Sequence, residues 1–251
     1  MQPEYKILNW LGPAGGGVNP TEWVSLQALA KTSNGQSPYL VANEIIASEI
    51  GRYLRLPVAP SCVVPRDGET YFMSLSFNLT GAPLPRVFPE EVVEFFPHYA
   101  AGIIAFDTLI ANYDRHTGNI AAVTATKPQR LDLFDHDRCL LGHSPNGGIE
   151  HLKAVESRLA IVGIGNNHCL VPYVTDTGSF CEWFRRIKTI PDFFIVETCE
   201  DAKRYGALTD EECVAITGFL LKRRGEVNAL LMDAQCAGVL SGLRGQLELM
   251  M

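Results

Sequence analysis

Between Asn112 and Asp137 the chain reads Asn112-Tyr-Asp114-Arg115-His116-Thr-Gly-Asn119, then two short apolar runs, Ile120–Thr124 and Leu131–Phe134, then Asp135-His136-Asp137. The runs are separated by a turn containing Lys127-Pro128, a pattern that predicts an antiparallel hairpin. Pairing of that kind brings the residue before the first strand beside the residue after the second, so Asn119 and Asp135 meet at the open end. An amide oxygen next to a carboxylate suits a hard cation such as Mg²⁺, which takes one or two protein carboxylates and keeps several waters. Asp114, five residues before Asn119 on the same loop, adds a carboxylate placed to receive a proton from an attacking hydroxyl. Asp137 reads either as a solvated, hairpin-capping carboxylate or as a further metal contact. A rival reading gathers Asp114, His116, Asp135, His136, Asp137 and His143 into a two-metal hydrolase cluster, since His and Asp are usual ligands there. The hairpin explains the same residues with fewer assumptions.

Any fold must therefore present this hairpin end to a substrate, and 251 residues with 47% apolar side chains suffice for one large domain or two lobes sharing a cleft. The first eighty residues read as strand-rich. Tyr5–Leu11 is a strand, Gly12–Gly17 breaks it, and Glu22–Lys31 alternates as one half-buried strand. Apolar residues spaced three and four apart predict a helix over Val41–Leu54, ended by Pro57 and Pro60. Strands at Cys62–Pro65 and Thr70–Phe77 follow, and Asn78–Pro89 reads as a linker. Beyond it one helix is expected from Pro89 to about Ala111, with Phe95, Phe96, Tyr99 and Phe106 in the core. Gly142–Gly148 is a loop, and the capping box Thr209–Glu212 predicts a helix of about twenty residues. Two basic runs, Trp183–Arg186 and Leu221–Arg224, read as solvated faces or structural ion pairs.

Twenty-one Lys and Arg against 28 Asp and Glu leave a net charge of −7, which excludes recruitment to nucleic acid or anionic lipid by bulk charge. The start of the sequence has no apolar signal-like segment, and no apolar run is long enough to cross a membrane, so the expected location is cytoplasmic. Seven cysteines without a C-x-x-C pair read as free thiols of a reducing compartment.

The D-x-x-x-x-N spacing of Asp114 and Asn119, with an Asp beyond the next hairpin, is the spacing of a protein-kinase catalytic loop and its metal site. The runs FDTLIANYDRHTGN, FDHDRCL, NEIIASEIGRYLRLPVAP, IPDFF and LTDEECVAITGFLLKRR together resemble the HipA-like kinase family, in its compact single-domain branch, from about Trp23 to Leu231. The resemblance implies an α+β, two-lobed protein-kinase-like fold, with residues 1–80 as a strand-rich N-lobe and 81–251 as a helical C-lobe. It implies ATP and Mg²⁺ as cofactors, with Asp114 as base, Asn119 and Asp135 as metal ligands, and Arg115 and His116 ordering the loop. Lys31, paired with Glu44, would meet the α/β-phosphates, with Leu26 as an alternative register for that lysine position. Gly15, Gly16 and Gly17 would offer backbone amides to phosphate, although the run is neither G-x-G-x-x-G nor a Walker A loop. It lacks the serines that some family members phosphorylate for self-regulation, and Thr21 is the nearby alternative. Adenine would lie against Met73–Phe77. The implied partners are a protein substrate phosphorylated on Ser or Thr and a regulatory partner of the toxin–antitoxin kind. Two other readings stay open: a nucleotide-binding pseudokinase or interaction module, motivated by the glycine loop and Asp137, and a kinase of small molecules or lipid headgroups.

Overall fold

The computed structural model describes residues 5, 7–15, 19–76, 78, 86–123, 130–156 and 168–248. Strands β1 (Ile7–Pro13) and β2 (Glu22–Leu26) form an antiparallel ribbon, and β3 (Ala28–Thr32), β5 (Glu69–Leu75) and β4 (Ser61–Arg66) form a three-stranded sheet in the order β3-β5-β4. The single strand expected over Glu22–Lys31 is thus two strands in two sheets. Gln27 is the break, and its carbonyl accepts the Ser76 N–H at 2.9 Å, which ties the crossover to the end of β5. The ribbon is irregular, with register shifts on either side of Asn9–Trp10, and it leaves Trp10 and Trp23 more than 60% exposed.

Helix α1 (Leu40–Tyr53) is buried on nearly every side. The stripe read from sequence, Val41, Ile45, Ile46, Ile50 and Leu54, is in the core, while Tyr53 is exposed and rests on the Phe194 ring. Pro57 and Pro60 are not what stops the helix. Arg55 adopts a left-handed φ of 61°, the Arg55 N–H bonds the Arg52 carbonyl, and the Leu56 N–H bonds the Gly51 carbonyl. This is a Schellman end built on arginine in place of glycine.

The helix expected over Pro89–Ala111 is two helices, α2 (Pro89–Phe95) and α3 (Pro97–Leu109). Pro97 has no N–H to continue the ladder and drives Phe96 out of helical geometry, to φ −132° and ψ 51°. The kink also shifts the phase of the aromatic residues: Phe106 is fully buried, Phe96 and Tyr99 pack at the edge of the core, and Phe95 lies on the surface. Strands β6 (Ile120–Val123) and β7 (Arg130–Leu133) form the expected hairpin, with Ile120 opposite Leu133. The Lys127-Pro128 turn lies outside the described residues. The segment after α1 runs along the hairpin, where the Leu133 N–H bonds the Pro57 carbonyl at 2.8 Å.

Four more helices complete the larger half: α4 (Ile149–Glu156), α5 (Gly178–Lys188), α6 (Asp192–Arg204) and α7 (Asp210–Cys236). The capping box forms as expected: Thr209 Oγ1 accepts the Glu212 N–H and the Glu212 carboxylate accepts the Thr209 N–H. The helix it starts is longer than expected, at 27 residues. Glycine is required at Gly102, where a Cβ would come within 2.3 Å of the Trp183 ring, so α3 and α5 touch through that gap. No described helix is long and apolar enough to cross a membrane.

Arg223, part of a run read as surface charge, is 1% exposed. Its guanidinium donates to the Thr108 carbonyl near the end of α3 and to the Val155 and Glu156 carbonyls at the end of α4. All three carbonyls lie in the last turns of their helices, so one side chain of α7 fastens two other helices. Desolvation lowers the Arg223 pKa to about 10. Replacing Arg223 by Met removes a donor from three helix-end carbonyls and is expected to cost about 3 kcal/mol in chemical denaturation, because each lost bond to the charged guanidinium costs on the order of 1–3 kcal/mol. Arg223→Lys should recover only a small part, since a single ammonium lacks the fork that spans two helix ends.

Candidate functional site

The loop between α3 and the hairpin is built around a buried ion pair. Asp107 and Arg115 are both 0% exposed, and the Arg115 Nε and Nη2 donate to the two Asp107 oxygens at 2.8 and 2.9 Å. The same carboxylate accepts Asn112 Nδ2 at 2.9 Å and faces His168 Nε2 at 3.1 Å. Since His168 Nδ1 accepts the Leu170 N–H, Nε2 carries the ring proton and donates to Asp107. Burial acts to raise the Asp107 pKa, but Arg115 and His168 outweigh it and hold the carboxyl far below the usual range. Arg115 Nη1 then bonds the main-chain carbonyls of Asn119 and Phe134, the residues on either side of the hairpin's open end.

On this support the sequence-predicted residues take defined places. The Asn119 Nδ2 donates to the Asp114 carbonyl at 2.9 Å, which turns Oδ1 away from the loop, and no described residue hydrogen-bonds that oxygen. The Phe134 N–H reaches the Asn119 carbonyl at 3.4 Å, so Asp135 stands one residue beyond Asn119 across the hairpin. Asp135 has a left-handed φ of 62°, a conformation that costs a non-glycine residue energy and that packing must maintain. Asp114 keeps a partly exposed carboxylate 3.5 Å from Arg138 Nε and 3.8 Å from His116 Nε2. His116 itself caps the turn that follows, its Nδ1 accepting the Gly118 N–H, and a Cβ on Gly118 would meet that ring at 2.8 Å.

Lys31 joins the two halves. Its ammonium bonds the Glu44 carboxylate of α1 and, at 2.7 Å, Asp135 Oδ1. Burial disfavours the ammonium, yet Glu44 and Asp135 outweigh that and raise its pKa. Burial alone would raise Glu44 too, but the neighbouring His136, 3.4 Å away, and Lys31 bring it down to about 2. Leu26, the alternative register, lies on the other sheet and is 39% exposed. Next to Glu44, the buried Asn43 donates to the Asp137 and Gly142 carbonyls and accepts the Leu141 N–H, which fastens α1 to the chain after Asp135. Asp137 is half-buried, and desolvation together with the Asp135 charge raises its pKa.

Lys31, Glu44, Asp135 and His136 form one end of a cavity of about 250 Å³. Its other walls are apolar, chiefly Ala28, Leu29, Val58, Ala59, Phe72, Leu75 and Leu133, with Ser74 and Ser76 at the edge of β5. Gly15 is exposed with φ 70° and does not line this cavity; the Ala14 N–H to Thr21 carbonyl bond closes the base of its loop. Gly16, Gly17 and Phe77 lie outside the described residues. The two-metal hydrolase cluster does not assemble. Among the described residues no three His, Cys, Asp or Glu side chains converge as a metal group, and His136 is buried against Phe106 and Glu44. The donors at the hairpin end are oxygens, one carboxylate and one amide whose Oδ1 no described residue hydrogen-bonds, a set that fits Mg²⁺ better than a metal needing a full protein cage.

Three contributors escaped the sequence reading. Asp107 interrupts an apolar helical stretch, and a lone acid on a buried helix face must find a partner, so a signal was present. Asn43 sat unremarked beside Glu44, and His168, 61 residues from Asp107, gave no local sign.

Among solved structures, the Helicobacter pylori proinflammatory kinase CtkA aligns with a TM-score of 0.55 and 15% identity over 90% of this chain and 94% of that one. A HipA structure, from the Shewanella oneidensis MR-1 toxin–antitoxin system with HipB and operator DNA, aligns with a TM-score of 0.46 and 14% identity over 90% of this chain and 67% of that one. No protein-family model and no curated protein matches the sequence. At such identities the likeness is one of fold. The chain shares the fold of that Helicobacter pylori kinase, α+β and two-lobed, with a small strand-rich lobe and a larger helical one.

Two outcomes follow. Asp107→Asn leaves Arg115 buried without its counter-charge and should destabilise the protein by about 3–5 kcal/mol in urea titration. Glu44 has its pKa lowered when folded, so its contribution is present above the ordinary value of 4.5 and is lost as pH falls through about 2. The stability gap between wild type and Glu44→Gln should therefore be widest near neutrality and close across that acid window, as read from denaturation midpoints at a series of pH values.

Proposed function

We propose that this chain is an ATP- and Mg²⁺-dependent phosphotransferase that moves the γ-phosphoryl group of ATP to a Ser or Thr hydroxyl of a protein substrate. The observation that carries the reading is Lys31, an ammonium held between Glu44 and Asp135 at the rim of an apolar cavity. In this reading residues 1–80 form the N-lobe and 81–251 the C-lobe, with nucleotide between them. The apolar walls and the Ser74–Ser76 edge of β5 receive adenine, which leaves the phosphates toward Lys31. Glu44 orients the lysine, and Gly15, Gly16 and Gly17 supply backbone amides to the phosphates. Asn119 Oδ1 and the Asp135 carboxylate hold Mg²⁺, which when bound neutralises charge on the phosphate oxygens. Asp114, on a loop held rigid by Arg115 and His116, accepts the proton of the acceptor hydroxyl. Phosphoryl transfer asks mainly for positioning and charge neutralisation, and this set supplies both.

The test is ATP-dependent phosphate transfer with nucleotide binding measured in parallel. Asp114→Ala should lower transfer by about 10²–10⁴-fold, the usual worth of a general base, while nucleotide affinity is retained. Lys31→Met should weaken binding itself. Equal transfer by wild type and Asp114→Ala overturns the assignment. Tight MgATP binding without turnover identifies a pseudokinase, and turnover confined to non-protein alcohols identifies a small-molecule or lipid-headgroup kinase.

A further inference from the structure

The two basic runs are remote in sequence and distinct from the cleft, and folding brings them together. Between the last turns of α5 and the middle of α7 lies a concavity of about 160 Å³, walled by Phe184, Gly225 and Val227 and edged by Arg185, Lys188 and Arg224. Thr189 is shared with an adjoining depression that carries Arg55 and Arg186. No carboxylate lines either one. Arg224 is held by Asp192 at 2.7 Å and donates its other terminal nitrogen to the Ile190 carbonyl, which fixes its charge at the edge of the concavity, and Arg186 is held by Glu182 while it stacks over the Trp183 ring. The side chains of Arg55, Arg185 and Lys188 make no hydrogen bond or ion pair with any described residue.

Five cations thus face two carboxylates in one small area of a chain whose net charge is −7. A helix C-terminus favours cations in its own last turn, which accounts for Arg185 and Lys188 taken singly. It does not account for Arg224, from the middle of α7, or for Arg55, projected by the left-handed end of α1. Arg55, Arg185 and Lys188, the three without a counter-charge among the described residues, repel one another and the paired arginines, and an anion seated among them relieves that repulsion. Arginine forks match phosphate oxygens, and the Phe184 and Val227 walls suit the carbon stem of the residue that bears the phosphate. A concavity of this size takes one phosphomonoester, whereas an extended polyanion would meet the negative field of the rest of the molecule.

We propose that the α5–α7 concavity binds a phosphorylated Ser or Thr side chain of a partner protein, with Arg185, Lys188 and Arg224 as its cation set. This site shares no residue with the nucleotide cavity, so it stands or falls separately from the kinase reading. The experiment is a titration of the ¹⁵N-labelled full chain with a blocked alanine pentapeptide carrying a central phosphothreonine, with its unphosphorylated twin, and with inorganic phosphate. The phosphopeptide should produce saturable shifts at the Thr189, Gly225 and Asn228 amides, with the twin and phosphate each about tenfold weaker or more. The double variant Arg185→Gln, Lys188→Gln should lose about tenfold or more of that affinity at an unchanged melting temperature, because both side chains are exposed. Lys31→Met should leave it untouched. Equal binding of peptide and twin, equal binding by the double variant, or shifts confined to the cleft overturns the proposal. Free phosphate binding as tightly as the phosphopeptide overturns its partner-protein part. Saturable binding of a DNA duplex or of phosphatidylserine vesicles at these residues, without a phosphopeptide response, overturns it in favour of that ligand.

Discussion

Everything at the hairpin end rests on the pair between Asp107 and Arg115. Two charges with no exposure to solvent are costly to bury, and such a pair is tolerated only when the remaining donors and acceptors are also satisfied. Here they are. Asn112 and His168 complete the carboxylate, and the last nitrogen of Arg115 spans the carbonyls of Asn119 and Phe134. The guanidinium is thus a rigid strut between a helix and both sides of a β-hairpin. Asp114, Asn119 and Asp135 are placed by main chain that this strut holds, so their geometry does not depend on surface contacts.

The second organising element is α1, which belongs by position to the smaller, strand-rich lobe but is fastened to the hairpin of the other. Asn43 donates two hydrogen bonds to main-chain carbonyls of the segment that follows Asp135 and accepts one from its Leu141 N–H, and one residue later Glu44 reaches Lys31. Adjacent residues of one helix therefore address both sides of the cavity. Almost complete burial explains why Asn43 and Glu44 are both paired: an unpaired buried amide or carboxylate would be destabilising. The β1–β2 ribbon contrasts with this. It is joined to the three-stranded sheet through the Gln27 crossover and exposes two tryptophans.

Much of this was legible in the residues. The hairpin, the neighbourhood of Asn119 and Asp135, the amphipathic stripe of α1 and the capping box of α7 all depend on local periodicity or on spacing within about twenty residues, where short-range geometry dominates. The failures are equally physical. Alternation over Glu22–Lys31 shows which side chains are half-buried, but nothing in it reports that the strand changes partners at Gln27. Periodicity over Pro89–Ala111 masked a proline break, although the Phe96-Pro97 pair was visible. Arg223 looked like surface charge because a buried arginine is rare, and its partners, three carbonyls on two other helices, leave no trace in side-chain identity.

What the sequence determined by itself is a set of chemical groups at fixed chain separations: an Asp and an Asn five residues apart, an Asp across a short hairpin, a lysine ahead of an amphipathic helix, and no excess of positive charge. Tertiary structure alone decided that Lys31 meets both Glu44 and Asp135, that His168 completes the support under the loop, and that two distant basic runs share one concavity. The reason is the range of the forces involved. Hydrogen-bonded strands and helical periodicity are written in near neighbours. A buried charge selects its partner from whatever packing brings within about 3 Å, and packing is set by the whole chain.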